Sequence, residues 1–418
     1  MKAKQIRIAL RSKPVFKKII LALLILAGSG SLSVYGDIYH YKNFVAGARS
    51  ALMGGAYSAI SDDAAGAYYN PAGIAFSFGD SLSGSANAFH NVNTKYKKAI
   101  KQTYDWERES SALLPNFFGM IKKYGKTALA ISYVVPETQI EHQDQTYLNP
   151  SADLSKYNIS LHSEDSVYMV GPSLSRKISE SFSVGMSLHY YYREFRSQQN
   201  EYLEFTNSST RLNYKSTKVI EHGISPRLGM QFNMGDTLVF GLMYDQTTLT
   251  SASYSYNNPY SIYDSANSSL GTELNSESNS NQRKLPSQLT MGMAYYPTPF
   301  MLFSTDLDYY KAGESTLEDV LNISMGSEIF FDAKNSIRFG LFTNNDSRPA
   351  VSSSTSGNEH IDMMGYSFGY ASYSRSSSLT IGAVYSSGDG KSQIYGDADS
   401  RDMHRESLTM VFAATYNY

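Results

Sequence analysis

The C-terminal stretch SLTMVFAATYNY, residues 407–418, decides the fold class. Apolar or aromatic residues take every second position, and small or polar residues stand between them. The first set is Leu408, Met410, Phe412, Ala414, Tyr416 and Tyr418. A period of two is that of a β-strand. An apolar face that ends in aromatic residues is what a barrel strand needs where it faces lipid.

The same alternation recurs upstream, for example in FSVGMSLHYYYR at 182–193 and in SIRFGLF at 336–342. It predicts fourteen strands, with boundary errors of about 2–4 residues. They cover 80–91, 113–121, 126–137, 165–177, 180–195, 217–233, 236–247, 284–296, 299–310, 320–332, 335–344, 359–374, 377–387 and 403–418.

The connections between these strands alternate in length. Short turns separate longer loops at 92–112, 138–164, 196–216, 248–283, 311–319, 345–358 and 388–402. Outer-membrane barrels have an even strand number, short turns at one end and longer loops at the other. A bilayer also forbids an open sheet edge, so the first and last strands must meet. Residues 80–418 are therefore predicted to be all-β, forming a 14-stranded antiparallel transmembrane β-barrel rather than a soluble β-protein.

Residues 1–36 have the layout of a secretory signal peptide, and together with the predicted barrel this export signal predicts a protein of the bacterial outer membrane. They hold seven basic residues and no acid, then an apolar run from Ile19 to Ala27 that is too short for a spanning helix of about 20 residues. Removing these seven leaves 29 basic against 38 acidic residues, a net charge of −9 that argues against nucleic acid as a partner. The eight His have no metal-ligand spacing, so neither a metal nor a cofactor is expected.

Residues 37–79 differ from the strands that follow. The stretch GARSALMGGAYSAISDDAAGAYYNPAGIA, 47–75, is built on small residues, and Asn70-Pro71 fixes a turn within it. Small residues let a chain fold tightly against a barrel wall, so we interpret 37–79 as an N-terminal hatch that plugs the lumen. The alternative is a periplasmic extension with no consequence for transport.

Glycines recur on the predicted inward faces of the strands. They are Gly185, Gly229, Gly241, Gly292, Gly326, Gly340 and Gly382. Glycine within a strand marks either the close approach of another backbone or a bend of the sheet. The sequence leaves both readings open.

The small-residue stretch 47–75 resembles the N-terminal hatch of the FadL/TodX family of outer-membrane transporters of hydrophobic compounds. KLPSQLTMGMAYYPTPFMLFSTDLDYY and VLNISMGSEIFFDAKNSIRFGLFTNNDSRP resemble paired strands of the same family. The resemblance implies a hatch-plugged 14-stranded barrel that takes up long-chain fatty acids or similar apolar molecules. It places the family's gating turn at Asn70, Pro71 and Ala72, next to Gly73. It also implies contact of this turn with a kinked third strand, where Pro136 stands, and a lateral hole at the kink.

An apolar ligand gains roughly 0.8 kcal/mol for each methylene that it buries, so a sideways exit into lipid is favoured over an exit into water. Inward-facing Arg227 and Arg338 are candidate partners for a ligand carboxylate. The alternative is that both arginines pair with acids of the lumen. Those acids are Asp245, Asp306, Asp308 and Glu328.

Other functions compete with transport. The Tyr-, Ser- and Asn-rich residues 248–283 suit aromatic or amphipathic ligands, or a hydrated loop of a barrel with a structural, adhesin-like or secretion-partner role. Gly365–Gly369 matches a hydrolase nucleophile motif with Ser367, but that motif needs a strand–turn–helix context and here lies within an alternating strand. We therefore expect a monomer that is not an enzyme, with outer-membrane lipids around it and fatty acids or aromatic hydrocarbons as ligands.

Overall fold

The computed structural model describes residues 38–43, 45–352, 358–393 and 400–418. The predicted signal peptide, 1–36, lies outside the described residues. The N-terminal segment, defined here as the described part of 38–79, holds helices α1 (Ala48–Leu52) and α2 (Gly66–Tyr69) and a 3-10 helix (Pro71–Phe76). In the described ranges, no helix combines the length and the apolar character needed to cross a membrane.

Seventeen strand segments follow in the described part of the chain. They are β1 (Ser81–Ile100), β2 (Tyr104–Tyr124), β3 (Thr127–Ser151), β4 (Leu154–Lys177), β5 (Phe182–Phe205), β6 (Thr210–Met234), β7 (Leu238–Gln246), β8 (Thr248–Asp264), β9 (Ser269–Asn279), β10 (Ser287–Thr298), β11 (Met301–Lys311), β12 (Val320–Asp332), β13 (Asn335–Asn344), β14 (Glu359–Ile361), β15 (Met363–Tyr373), β16 (Ser377–Ser392) and β17 (Arg401–Asn417).

Fourteen of these segments form one closed antiparallel barrel. Neighbours along the chain pair with each other, β7 pairs with β10, and β1 pairs with both β2 and β17. The hairpin β8–β9 stands on the outer end of β6, and β14 pairs with β16 beside β15. The prediction of a closed 14-stranded antiparallel barrel is confirmed.

The outside of the barrel carries an apolar band between two aromatic rims. On β5 the band runs from Phe182 to Tyr192, which spans about 25 Å for strands tilted by about 40°. One rim is a cross-strand row with ring centroids 6.2 Å apart for Tyr168 and Tyr192 and 5.2 Å apart for Tyr192 and His222. The band has the height that a lipid-facing barrel requires.

The predicted long loops at 92–112, 138–164 and 196–216 are wrong over most of their length, because β1–β6 continue beyond the band, and the predicted loop 248–283 holds β8 and β9. Residues 312–319 and 345–352 contain no strand, as predicted. Strands β1–β6 have 20 to 25 residues each, whereas β10–β13 have 10 to 13. Above the band the pattern is inverted: on β4, Tyr157, Ile159 and Leu161 are buried, and the positions between them are polar and more exposed. The pattern that predicts a lipid-facing strand requires apolar residues on the outer face. These extensions carry polar residues there, because their outer face is in water, so the pattern does not predict them.

The inverted pattern gives the extensions a core of their own. Trp106 stacks on Tyr96 with 5.1 Å between ring centroids, and both pack with residues of β4 and β5 and of β14, β15 and β17. The further members of this outer cluster include Leu154, Tyr157, Ile159, Leu161, Leu203, Ile361, Met363 and Met403. Packing among these side chains joins opposite sides of the barrel at its outer end.

Candidate functional site

The N-terminal segment packs against the inward faces of the strands. A Cβ atom added at any of the seven inward glycines would collide with it: Gly185 lies against Pro71, Gly229 against Asn70, Gly241 and Gly292 against Ser58, Gly326 against Met53, Gly340 against Gly54 and Gly382 against Leu52. Close approach of the N-terminal segment is therefore confirmed as the reason for these glycines: at six of them its backbone lies within 3.1 Å of the added Cβ, and at Gly382 the Leu52 side chain does.

Asn70 holds the turn that begins the 3-10 helix. Its Oδ1 accepts from the Ala72 amide at 3.1 Å, and its Nδ2 donates to the Ser58 carbonyl at 2.8 Å and to the Met230 carbonyl at 3.0 Å. The side chain is fully buried and out of reach of water, so without these bonds its polar atoms would have no partner. Asn70 thus ties two parts of the N-terminal segment to β6.

The rest of the turn packs on β4 and β5. The Ala72 carbonyl accepts from Ser175 at 3.1 Å and from Ser183 at 2.8 Å. Gly73 packs so closely on Ser61 that no side chain would fit. The turn Asn70–Gly73 therefore contacts β4, β5 and β6 most closely, and its role in gating stays a prediction.

A cavity of about 200 Å³ lies between the N-terminal segment and the inner wall of β3–β7, β10 and β11. Its apolar wall includes Val167, Met169, Met243, Leu285 and the rings of Tyr41, Tyr68, Tyr69, Tyr191 and Tyr310. Tyr41 and Tyr310 are stacked with 4.4 Å between their ring centroids. Residues 280–286, which have no regular secondary structure, supply the outer wall through Arg283, Leu285 and Pro286.

Each of the three Lys and Arg side chains that line the cavity is paired. Lys42 of the N-terminal segment contacts Asp308, Arg227 contacts Asp245 at 3.1 Å, and Arg283 contacts Glu221 at 2.7 Å. The alternative that the sequence left open for Arg227, an ion pair in the lumen, is the arrangement present. Its role towards a ligand carboxylate stays a prediction.

Arg338 lies apart from the cavity. It pairs with Glu328 at 2.8 Å, and Glu328 also pairs with Arg49 of the N-terminal segment at 2.8 Å. Arg49 in turn reaches Asp62 at 2.7 Å. The structure therefore brings Arg227 and Pro136 to one cavity and places Arg338 in a separate ion-pair cluster that fastens the segment to the wall.

Pairing between β2 and β3 is interrupted. The register runs from Tyr124 opposite Thr127 to Phe117 opposite Val134, and resumes only at Ser110 opposite Glu141. The register is the same on both sides of the gap, which places Pro115 opposite Pro136. Proline has no amide hydrogen, so neither strand can donate a hydrogen bond at that rung. We call residues 111–116 and 135–140 the seam.

The seam adjoins the cavity. Pro136 and Glu137 line the cavity, and Glu137 accepts a hydrogen bond from Asn43 of the N-terminal segment at 3.0 Å. The pairing of β3 with β4 is also irregular here, between Val134 and Glu137. The outer aromatic rim begins beside this point, where Tyr133 stacks on Tyr168. The seam therefore borders the cavity on its inner side and the outer aromatic rim on its outer side.

Ser367 lies within β15, which runs unbroken from Met363 to Tyr373. The strand–turn–helix geometry that the nucleophile motif needs is therefore not formed around Gly365–Gly369. Its hydroxyl has no hydrogen-bond partner among the residues that the structure describes.

Comparison with solved structures identifies the fold. The chain superposes on the Pseudomonas putida toluene transporter TodX with a TM-score of 0.62 and 14% identity, over 90% of this chain and 100% of that one. For the Ralstonia pickettii toluene transporter TbuX the values are 0.60, 13%, 93% and 99%. For a Pseudomonas aeruginosa FadL homologue they are 0.59, 14%, 91% and 98%. No protein-family model and no curated protein sequence matches the chain. The chain thus has the fold of FadL/TodX-type barrels.

Sequence reasoning missed two parts of this site. Pro115 stood in the predicted strand 113–121, but only the register reveals that it faces Pro136. The inward tyrosines, Tyr191 and Tyr310, follow or precede outward tyrosines, so the abundance of Tyr masked them. A search for aromatic residues at the inward-facing positions of each strand would have found both tyrosines.

Proposed function

We propose that this chain is an outer-membrane transporter of small hydrophobic compounds, best suited to single-ring aromatic molecules, which it binds in the cavity and releases sideways through the seam. The observation that carries the proposal is that the cavity reaches Pro136 where the β2–β3 pairing is interrupted. A ligand there needs to pass only one layer of the wall to reach lipid.

The size and lining of the cavity favour a single ring over a long chain. Its volume, about 200 Å³, is close to that of the ~150 Å³ cavity that holds one benzene, and lies below the ~300 Å³ of the smallest pockets for larger ligands. Aromatic rings pair favourably with tyrosines, and five tyrosines line the wall. Long-chain fatty acids are the second candidate class.

Sideways release is favoured because lipid lies outside the barrel wall, whereas water lies at the ends of the barrel. The axial path is filled by the N-terminal segment, which packs against the inward glycines of β5, β6, β7, β10, β12, β13 and β16. An apolar ligand is more stable in lipid than in water, by roughly 25 cal/mol for each Å² of apolar surface. In this proposal the segment acts as a hatch, held by the turn Asn70–Gly73, and ligand binding shifts it between two arrangements.

The proteins with matching structures support this class of ligand. Two of these proteins are described as toluene transporters, and a third is described as a FadL homologue. Identities of 13–14% support a shared fold and no more. The evidence for the ligand of this chain is therefore the lining of its own cavity.

Filling the cavity is expected to block uptake. Met243 lines the cavity and is 2% exposed, whereas Met291, on the paired neighbouring strand, is 49% exposed on the outer face. Met243→Trp is expected to reduce the initial rate of toluene uptake by roughly fivefold or more, because the larger ring takes up space in the cavity that the ligand needs. The measurement uses radiolabelled toluene, with oleate in parallel, and cells that lack an importer of their own.

Met291→Trp is the matched control and is expected to keep the native rate, because its new ring faces lipid. A heat-modifiable band on gels shows that each variant has folded. Native protein that folds but transports neither toluene nor oleate would contradict the proposal and favour the structural or adhesin-like role. Uptake of oleate alone would replace the aromatic class by fatty acids.

A further inference from the structure

The cavity carries hydrogen-bond donors without acceptors. Tyr191 and Tyr310 line it, and the hydroxyl of neither makes a hydrogen bond to any described residue. Arg227 also lines the cavity, but its Nε is enclosed by protein and does not open on the cavity. The rest of its guanidinium group is engaged, because it donates to Asp245 and to the Tyr68 carbonyl and lies 3.8 Å from the centroid of the Tyr68 ring.

The two unpaired hydroxyls can each donate a hydrogen bond and can also accept one. A buried donor without an acceptor costs free energy that a suitable ligand would recover. A hydrocarbon ring would leave these donors unpaired, whereas an oxygen atom on the ring would accept from them. The apolar wall and the stacked pair Tyr41–Tyr310 account for the ring itself.

The charge balance of the cavity decides whether that oxygen is charged. Lys42, Arg227 and Arg283 already have the carboxylates of Asp308, Asp245 and Glu221 as partners. An ionised ligand carboxylate would enter without a free cation among these three, and an unpaired buried charge is strongly disfavoured. A neutral oxygen avoids that cost.

Resting on the transport function proposed above, we propose that the ligand is a neutral aromatic molecule with one hydrogen-bond-accepting oxygen, such as a phenol, rather than a plain hydrocarbon or an aromatic carboxylate. The hydroxyls of Tyr191 and Tyr310 select that oxygen. The tyrosine rings and the methionines bind the rest of the molecule.

Three ligands of nearly equal shape test the proposal: p-xylene, p-cresol and p-toluate. At pH 7 the phenol is neutral and the toluate is ionised. Binding of the radiolabelled ligands is measured by equilibrium dialysis with the full chain in lipid nanodiscs, and empty nanodiscs are subtracted. Binding is calculated from the free concentration of each ligand, with its partition into lipid taken from the empty nanodiscs, so values can be compared between variants and between ligands.

The variant Tyr191→Phe/Tyr310→Phe keeps both rings and removes only the two hydroxyls. It is expected to weaken p-cresol binding about tenfold and to leave p-xylene binding within about twofold of the native value. Native protein is expected to bind p-toluate about tenfold or more weakly than p-cresol. Tyr295→Phe, on the outer face, is the control and should change none of these values.

Equal losses for p-cresol and p-xylene in the double variant would overturn the inference, because the rings and not the hydroxyls would then be responsible. Unchanged p-cresol binding, or a preference of native protein for p-toluate, would also overturn it. Binding of p-xylene without any gain for p-cresol removes this inference and leaves the transport proposal standing. If none of the three ligands binds, both fail.

Discussion

Replacing both prolines of the seam, as Pro115→Val/Pro136→Val, is expected to reduce toluene uptake by about tenfold or more and to leave the barrel folded. The β2–β3 register is the same above and below the seam, so the strands need no shift to pair through it. Valine supplies the missing amide hydrogens and favours strand geometry. Each new hydrogen bond adds about 1 kcal/mol, and together they would hold the wall closed.

Two measurements separate closure of the seam from damage to the cavity. Hydrogen exchange is expected to slow at residues 111–116 and 135–140, because amides in a closed ladder are protected. Toluene binding in nanodiscs is expected to stay within about threefold of the native value, because Pro136 is a single lining residue and the tyrosines of the cavity stay in place. Loss of uptake with retained binding would locate the effect at release.

Pro259→Val is the matched control, since Pro259 stands in β8 opposite Leu274, in the outer hairpin and away from the cavity. It should transport at the native rate. Native uptake in the double variant, together with protected seam amides, would show that ligands leave by another route. Each single substitution restores one of the two donors and should give an intermediate rate.

The strand pattern of this chain could be predicted because lipid imposes one rule on every spanning strand. Residues such as Met186 and Met230 are exposed on the apolar band, and their neighbours Ser187 and Gln231 are buried on the lumen side, so local alternation shows the strand directly. Above the band the rule is reversed, since Ile159 is buried and the outside faces water. A prediction that requires an apolar outer face therefore ends these strands too early.

Parts of the site could be predicted where one residue type carries the information. The inward glycines predicted a second backbone because no other residue leaves such room, and Pro136 predicted a pairing defect because proline lacks a donor. The opposition of Pro115 and Pro136 depends on register, and the pair Lys42–Asp308 joins residues that are distant in sequence. No local pattern specifies such contacts.

Gly185→Val is expected to displace the N-terminal segment and open the lumen. A Cβ at this position would lie 2.6 Å from the Ala72 amide nitrogen and 2.6 Å from the Pro71 carbonyl oxygen. Both are backbone atoms that cannot turn aside, so docking of the segment loses about 1–3 kcal/mol. This shifts the ratio of docked to undocked segment roughly 5- to 150-fold. We expect a clear rise in single-channel conductance in planar bilayers, because a 14-stranded barrel without filling leaves an aqueous channel.

The same displacement should expose the segment to trypsin and abolish ligand binding. Arg49 pairs with Glu328 and Asp62 when the segment is docked, and Lys42, Tyr41 and Tyr68 supply one side of the cavity. We therefore expect faster cleavage after Arg49 and loss of toluene binding together with the rise in conductance. Gly84→Val is the control, because the nearest atom to its Cβ lies 3.9 Å away, on Phe118. Low conductance in a folded Gly185→Val barrel that still resists trypsin would mean that the wall yields instead of the segment. The segment would then be a fixed part of the barrel, and a gating role for Asn70–Gly73 would have to be abandoned.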